Sequence, residues 1–338
     1  MTKKRLTNKQ IALKLREFEL YLKDKYKFQF EEKKRDWEKY EREYMQKVRK
    51  AMKQFAPIIE AVTKNIVVYR ERGRRPELAV KQKLTLLLTK QLMQKSNRLM
   101  SNMLLLFSLL AGIDVSYKTV ERLYSDDETN IALYNLHIFL LKKKSVSKVK
   151  GSGDATGYAL TIKKNYESYA KKLKEKSKVQ EKKKDFIYAF KILDLSTGMY
   201  ICYGTSRKSE KDAYGKALKM LSKMGEDIDL EIEDIRIDRY YSNPSDVKLL
   251  SQFIGKIYII PKRGAKLGHG DAWLEAMRSF VDDTMRHLRE YYLRNNSESG
   301  FAQDKKLTGW KVEQKRDDRI DTSIFTKTLW HNLFSLYL

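Results

Sequence analysis

The chain has 338 residues, of which 70 are lysine or arginine and 44 are aspartate or glutamate, so its formal net charge is +26. Its hydrophobic content of 42% argues against wholesale disorder, and its length suits two or three domains. So large a positive excess indicates a polyanionic partner, with nucleic acid as the first interpretation and a membrane surface as the second. The longest apolar run, Met103 to Ala111, is too short to span a bilayer.

The few cysteine and histidine residues limit the chemistry of the chain. Cys202 is the single cysteine, so no internal disulfide can form, which fits a reducing cytoplasm. The four histidines, at positions 137, 269, 287 and 331, do not follow the common spacings of zinc modules. The basic N-terminal sequence is not followed by an apolar segment, so we do not expect secretion.

Residues 9 to about 62 predict a long amphipathic helix, since almost no helix-breaking residue interrupts them. Its apolar positions recur at steps of three and four: Trp37, Tyr40, Tyr44, Val48, Met52, Phe55 and Ile59. Gly73 and Pro76, within the segment from Arg70 to Glu77, predict a hinge that is either a basic linker or a set of minor-groove arginines. We assign residues 1–75 to a basic helical region that packs on its own domain, lies along DNA or pairs with a second subunit.

Residues 76–150 predict a helical DNA-binding domain of the helix-turn-helix type. An apolar helix ends at Ala111 and Gly112, and a second helix starts near Ser116 after a short turn. Val120 and Leu123 would pack on the first helix, although any helical hairpin could show this spacing. A third helix, from about Glu128 to Lys144, closes the domain. The candidate DNA contacts on the second helix are Ser116, Tyr117, Lys118, Glu121 and Arg122.

The sequence changes character after Lys150, and strands and helices then alternate in the order β-β-β-α-β-α-β-α. A lysine-dense stretch, residues 163–184, separates the first two strands and is either a solvated loop or a DNA-binding insertion that begins with Lys163 and Lys164. This order resembles that of the ribonuclease H-like fold. We therefore predict an α/β catalytic domain at 151–338, with a mixed five-stranded sheet and flanking helices.

Three acids fall at related places in that order. Asp154 lies on the first strand, Asp238 ends the fourth, and Glu298 starts a helix after the fifth. Each has an ordinary alternative as a turn residue, a strand exit or a charge at a helix start. Three clustered carboxylates would repel one another unless cations bind, and two Mg²⁺ ions held by such a cluster support phosphodiester chemistry.

The last acid lies within a specific pattern. Tyr291 is followed after two residues by Arg294, after three more by Glu298 and after six more by Lys305. These four residue types and their spacing resemble the Tyr-Arg-Glu-Lys signature of one branch of prokaryotic insertion-sequence transposases of the Asp-Asp-Glu type. The sequence "GDATG" resembles the first-aspartate motif of that family. "IDRYYS" resembles the second, with Tyr240 where glycine is usual.

The resemblance covers about Ser152 to Leu338 and implies a set of roles. Asp154, Asp238 and Glu298 would bind two Mg²⁺ ions, with Mn²⁺ as a substitute. Arg294 and Lys305 would bind phosphates at the element end, and Tyr291 would stack or hydrogen-bond there. The partner would be double-stranded DNA, bound by a homodimer in the prokaryotic cytoplasm at the nucleoid.

Two other interpretations of the sequence stay open beside a transposase. One is a nuclease of the same fold that hydrolyses DNA without joining it. The other is a domesticated or decayed copy that binds specific DNA without catalysis, against which the intact set of three acids argues.

Overall fold

The computed structural model describes residues 6–28, 36–66, 77–96, 99–160, 186–268 and 270–337. The predicted lysine-dense insertion at 163–184, with Lys163 and Lys164, lies outside these residues, and so do the predicted hinge up to Pro76 and His269. Among the helices that are described, none is both long enough and apolar enough to cross a membrane.

The described chain places six helices before its first strand. They are α1 (Asn8–Phe28), α2 (Trp37–Thr63), α3 (Val80–Leu92), α4 (Met100–Ala111), α5 (Tyr117–Leu123) and α6 (Asp127–Lys143). The single long helix expected over residues 9–62 is therefore described as two. The expected stripe is covered only in part: Phe55 and Ile59 are buried, whereas Trp37 is 61% exposed and Met52 is 45% exposed. The buried residues of α2 begin at Ala51, in the C-terminal half of the helix.

Helices α4 and α5 are joined by a short turn, as the sequence predicts. Gly112 occupies the left-handed region with φ 63°, which ends α4 at a conformation that glycine adopts without strain. The Ser116 hydroxyl accepts a hydrogen bond from the Thr119 amide at 3.2 Å and so caps α5. Val120 and Leu123 are buried, so the inward face of α5 is the one that was expected.

One mixed sheet forms the centre of the second half of the chain. Its strands are β1 (Lys148–Leu160), β2 (Phe186–Asp194), β3 (Tyr200–Ser206), β4 (Glu231–Ile237), β5 (Ile254–Tyr258) and β6 (Lys311–Val312). Their order is β3-β2-β1-β4-β5, and β6 pairs with the end of β1. Strands β2 and β3 are antiparallel to their neighbours, and β1, β4 and β5 are parallel. The sheet thus has six strands rather than the predicted five, because Lys311 and Val312 form a short additional strand beside Ala159 and Leu160 at the end of β1.

Helices cover both faces of this sheet. They are α7 (Glu210–Met224), α8 (Pro244–Leu250), α9 (Asp271–Asp282), α10 (Thr284–Tyr292), α11 (Asn295–Thr308) and α12 (Asp317–Ser335). Alternate residues of a strand face opposite sides. On β2, Phe190 contacts Tyr214 of α7, whereas the next residue, Lys191, contacts Asp304 of α11. Helices α7 and α11 therefore lie on opposite faces of the sheet.

The helical region and the sheet share hydrophobic packing. One buried cluster runs from α2, α3, α5 and α6 through α12 to the ends of β1 and β2. The His137 ring on α6 also hydrogen-bonds through Nε2 to the backbone oxygen of Ile201 on β3, at 2.7 Å. Helix α12 lies between the two regions, which explains why nearly all of its residues are buried.

Candidate active site

Two of the three predicted acids lie side by side on neighbouring strands, Asp154 in the middle of β1 and Asp238 directly after the end of β4. Gly153 on β1 pairs with Ile237 on β4, so the residues that follow them, Asp154 and Asp238, lie side by side. One oxygen of each carboxylate is used locally. Asp154 Oδ1 accepts from the Ala155 amide at 2.8 Å, and Asp238 Oδ1 accepts from the Tyr240 amide at 2.6 Å. The second oxygen of each carboxylate remains available to the site.

Helix α11 brings the third acid to the same place. Glu298 lies in its first turn, and the neighbouring Ser297 is hydrogen-bonded to Ser152 on β1 through their buried hydroxyls. The helix lies so close to the sheet that a Cβ on Gly300 would come within 2.8 Å of the Tyr200 hydroxyl. A residue without a side chain is therefore required there. Asn295 to Ser297, a break in the sequence pattern, forms the helix start.

The guanidinium of Arg294 contacts all three carboxylates. Its Nη1 lies 2.6 Å from Asp154 Oδ2 and 3.6 Å from Asp238 Oδ2, and its Nη2 lies 3.1 Å from Glu298 Oε1. The two aspartate oxygens can thus be no farther apart than these two Nη1 distances added together. In the described part of the chain, no group of three or more His, Cys, Asp or Glu side chains is already arranged around a metal position. The arginine, predicted to bind phosphate, lies among the acids and joins them.

Burial perturbs the charges of this cluster. Burial raises the pKa of Asp154 to about 6, against the opposing effect of Arg294. Burial alone would lower the pKa of Arg294, but Asp154 and the other acids raise it above its ordinary value. Glu298 differs from the two aspartates because its side chain is 59% exposed, compared with 14% for Asp154 and 32% for Asp238. The site is consequently open to solvent on the Glu298 side.

The other two residues of the Tyr-Arg-Glu-Lys pattern flank this cluster. Tyr291 is only 7% exposed, and its ring centre lies 6.0 Å from Arg294 Cζ, so the buried ring packs beside the guanidinium. Lys305 Nζ donates to Thr156 Oγ1 at 2.7 Å, which places this lysine over β1, two residues beyond Asp154. Arg294 and Lys305 of the pattern therefore meet the middle of β1, at Asp154 and Thr156, whereas the predicted contacts of Tyr291 and Lys305 with DNA stay predictions.

Sequence reasoning missed a buried ionic group that fixes α11. Lys191 Nζ donates to Asp304 Oδ2 at 2.5 Å, and both side chains are fully buried. His331 Nδ1 of α12 lies 2.7 Å from the other oxygen of Asp304. Lys191 is the direct cross-strand partner of Asp154. Since Lys191 and Asp304 are distant in sequence and neither belongs to a recognisable motif, only their placement on facing elements could reveal the pair.

The predicted DNA contacts on α5 are placed unequally. Lys118 and Arg122 are exposed, Tyr117 is partly buried, and Ser116 is exposed but uses its oxygen as the helix cap. Glu121 is held by Arg319 of α12 at 2.7 Å. Of the five candidates, the two basic residues are thus the ones with a free charge at the surface.

Carboxylate oxygens are the ligands that Mg²⁺ and Mn²⁺ prefer, so the chemistry of this donor set fits such ions. The partial burial of the two aspartates and the openness at Glu298 leave one side from which a charged substrate could approach. A cluster with three acids and one arginine retains a net negative charge, which a divalent cation would offset.

Comparison with known proteins gives one informative match. The chain is 40% identical over 302 residues, 89% of its own length and 87% of the relative's, to a protein of Archaeoglobus fulgidus described as "Probable transposase for insertion sequence element ISA1214". No family model matches the chain, and no solved structure matches it. With this identity over nearly the full length of both proteins, the chain belongs to the family of insertion-sequence transposases.

Proposed function

We propose that the protein is a transposase of the Asp-Asp-Glu type with a ribonuclease H-like catalytic domain. It cuts DNA strands at the ends of an insertion sequence and joins the freed 3′ ends to target DNA, acting at the nucleoid. Asp154, Asp238 and Glu298 form its catalytic centre.

The convergence of the three acids on Arg294 carries this proposal. They come from β1, from the end of β4 and from α11, separated by 84 and 60 positions in the sequence. An acid that served only as a turn residue or as a charge at a helix start would have no reason to contact the same guanidinium as the other two. The order of the strands is compatible with the fold that the sequence resembles.

The three carboxylates suit two Mg²⁺ ions, or Mn²⁺ in their place, which when bound activate an attacking oxygen and stabilise a leaving oxygen. The chain's own residues do the rest. Arg294 offsets the repulsion among the acids while no cation is bound, and its donors suit a phosphate once the acids are neutralised. Lys305, which lies beside Thr156, binds a phosphate of the DNA strand, and the Tyr291 ring keeps the Arg294 side chain in position.

The helical region supplies recognition in this proposal. Helix α5 presents Lys118 and Arg122 to the major groove as the second helix of a helix-turn-helix. Ser116 and Tyr117, at the N-terminal end of α5, contact the sugar-phosphate backbone of the DNA. A homodimer binds the two ends of the element, since a pair of related ends is matched by a pair of identical subunits.

A cleavage assay on a duplex that carries the element end and its flanking DNA tests the proposal. With Mg²⁺ or Mn²⁺ we expect a nick at the end and, with target DNA added, a joined product. Asp154→Asn protein should bind the duplex and give neither product. Cleavage without joining would assign the chain to the nucleases, and tight binding without either product would make it a non-catalytic DNA-binding protein.

A further inference from the structure

A second concave site lies at the opposite end of α11 from Glu298. A cavity of about 300 Å³ opens where α3 and the turn after it meet the segment that follows α11. Gln94 in that turn adopts φ 53°, in the left-handed region, and its side-chain amide donates to the Leu307 backbone oxygen at 3.3 Å. A hydrogen bond from Gln94, a residue in a backbone conformation that side chains rarely adopt, therefore joins two walls of the cavity.

The cavity has an excess of positive charge. Its lining includes Lys90, Lys95 and Lys311, with Glu313 as the one carboxylate among the lining residues. Lys90 is only 2% exposed, and its Nζ donates to the Tyr124 hydroxyl at 2.8 Å. Lys90 is thus the enclosed cation, and Glu313 is its carboxylate neighbour in the cavity. The exposed Lys95 and Lys311 leave the site with an excess of positive charge, which an anionic ligand would offset.

An aromatic ring stands at the mouth of the cavity. Trp310 belongs to the lining, yet it is 56% exposed. Lys311 Nζ lies 5.2 Å from the centre of the Trp310 ring. Cationic side chains beside an exposed aromatic ring are the combination by which proteins hold a nucleic-acid strand, because the cations bind phosphates and the ring packs against a base or sugar.

The position of the cavity relates it to the catalytic acids. From Glu298 to Thr308, a lining residue, α11 advances ten residues, or about 15 Å at 1.5 Å per residue. A strand of B-DNA advances about 3.4 Å per nucleotide, so this length corresponds to roughly four nucleotides. Lys305 lies between the two places, on the same helix.

We propose that this cavity binds a backbone phosphate of the element-end DNA roughly four nucleotides from the phosphate that is cut. Lys95 and Lys311 bind the phosphate oxygens, Lys90 contributes its charge from behind, and Trp310 packs against the adjoining sugar or base. The assignment rests on the proposed function, since the catalytic acids set the register of the strand.

The salt dependence of DNA binding tests the phosphate contacts. Each lost phosphate contact lowers the slope of log affinity against log salt by about 0.9, and the two lysines share one phosphate, so the double variant Lys95→Met/Lys311→Met should lower the slope by about 0.9. Both side chains are exposed, so folding should survive, and circular dichroism checks this. The matched control is Lys219→Met/Lys248→Met, two exposed lysines on α7 and α8. Equal slopes for the two double variants would overturn the proposal.

The register is tested with methylphosphonates, which remove the charge of one phosphate at a time. In wild-type protein we expect one substitution, roughly four nucleotides from the cut, to weaken binding about as much as the lysine changes do. In the double variant that same substitution should have almost no further effect. If every position acts equally on both proteins, the cavity does not bind a particular phosphate.

Tryptophan fluorescence tests the ring and separates DNA from a free nucleotide as ligand. In a Trp37→Phe background, the element-end duplex should quench the emission, and Trp310→Phe should remove most of that change. Equal quenching by dTTP at the same concentration would assign the cavity to a free nucleotide. Wild-type protein that binds the duplex but never cuts it would refute the proposed catalysis, while the salt slopes and the quenching would still report on the cavity.

Discussion

The two ends of α11 have opposite charge environments. Near its start, Asp154, Asp238 and Glu298 surround the one guanidinium of Arg294. Beyond its end, the cavity with Lys90, Lys95 and Lys311 has the one carboxylate of Glu313. Each end thus keeps an unbalanced charge in a partly enclosed place, negative at one and positive at the other.

Under the proposed function, this difference separates two tasks along one helix. The negative end suits cations and the positive end suits the phosphates of DNA, whereas the middle is fixed to the sheet by the neutral combination of Lys191 and Asp304. A rigid helix with sites of opposite charge at its two ends can hold the reacting phosphate and a more distant phosphate at a fixed distance from each other. The four predictions that follow test the start, the middle and the end of the helix and then a region outside it.

The largest effect is expected at the negative end. Glu298→Gln keeps the size of the side chain and removes its charge, and folding should survive because the side chain is 59% exposed. Strand cleavage should fall by a factor on the order of 10⁴, or about 5.5 kcal/mol of activation free energy, while binding to the duplex stays within twofold. A gel-based cleavage assay and a gel shift on the same DNA measure both. Glu275→Gln, an exposed glutamate on α9, is the control and should cut normally. Normal cutting by Glu298→Gln would remove the negative end from catalysis.

The middle of the helix should be the most sensitive part for stability. Lys191→Met leaves the buried carboxylate of Asp304 without its closest cation, so the free energy of unfolding should fall by about 3–5 kcal/mol. Lys191→Met/Asp304→Leu should recover a large part of that loss, since both charges are then removed together. Urea denaturation measures both variants. Arg42→Met, which breaks an exposed ion pair with Glu38, is the comparison and should cost less than about 1 kcal/mol. Similar losses for Lys191→Met and Arg42→Met would mean that the buried pair does not hold the helix.

The positive end should respond to pH. Lys327 Nζ donates to the backbone oxygens of Thr308 at 2.5 Å and Gly309 at 2.7 Å, and burial lowers its pKa to about 7. The unfolded chain then binds more protons than the folded one above about pH 7, so the contribution of Lys327 to stability rises with pH up to its ordinary pKa. Between about pH 7 and pH 9, the free energy of unfolding of wild-type protein should rise by about 2 kcal/mol relative to that of Lys327→Met, as measured by urea denaturation. Lys306→Met, which changes an exposed lysine, is the control and should show no such difference. Parallel pH profiles of stability for Lys327→Met and wild type would show that the pKa of Lys327 is not lowered in the folded protein.

The smallest effect is expected away from α11, at α5. Lys118→Ala and Arg122→Ala remove exposed charges, so stability should not change. Each should lower the preference for element-end DNA over random DNA by about 1 kcal/mol in competition binding, without changing cleavage once the DNA is saturated. Lys142→Ala on α6 is the control, because it removes an equally exposed charge elsewhere in the helical region. Equal weakening on both DNAs would show that α5 does not select the sequence.

The local sequence pattern singles out the acids but says nothing of their surroundings. Tyr291, Arg294, Glu298 and Lys305 could be found because their spacing is local and lies within two adjoining helices. Arg294, however, was expected on a phosphate. Its position among the acids depends on β1 and β4, which are distant in sequence. No local pattern contains that information.

Elements supported by local rules were predicted well. The start of α5 at Ser116 and the inward face formed by Val120 and Leu123 follow from side-chain chemistry and spacing within two turns. The apolar stripe of α2 was predicted too generously, since whether Trp37 is covered depends on which helices reach it. Strand β6 has two residues and forms only because β1 offers an edge, so its own sequence could not indicate it.

Helix α12 has a consequence for the order in which the molecule can be made. Its Trp330 indole donates to the Leu88 backbone oxygen on α3, 242 positions earlier, and its Asn332 side chain bonds to both backbone polar groups of Tyr200. The shared core therefore cannot close until α12 has been synthesised. At about 5–20 residues per second, translation from the end of α3 to the start of α12 takes roughly 10–50 s. During that time α2, α3 and α6 can pack on one another, but the apolar surface that they later share with α12 stays uncovered.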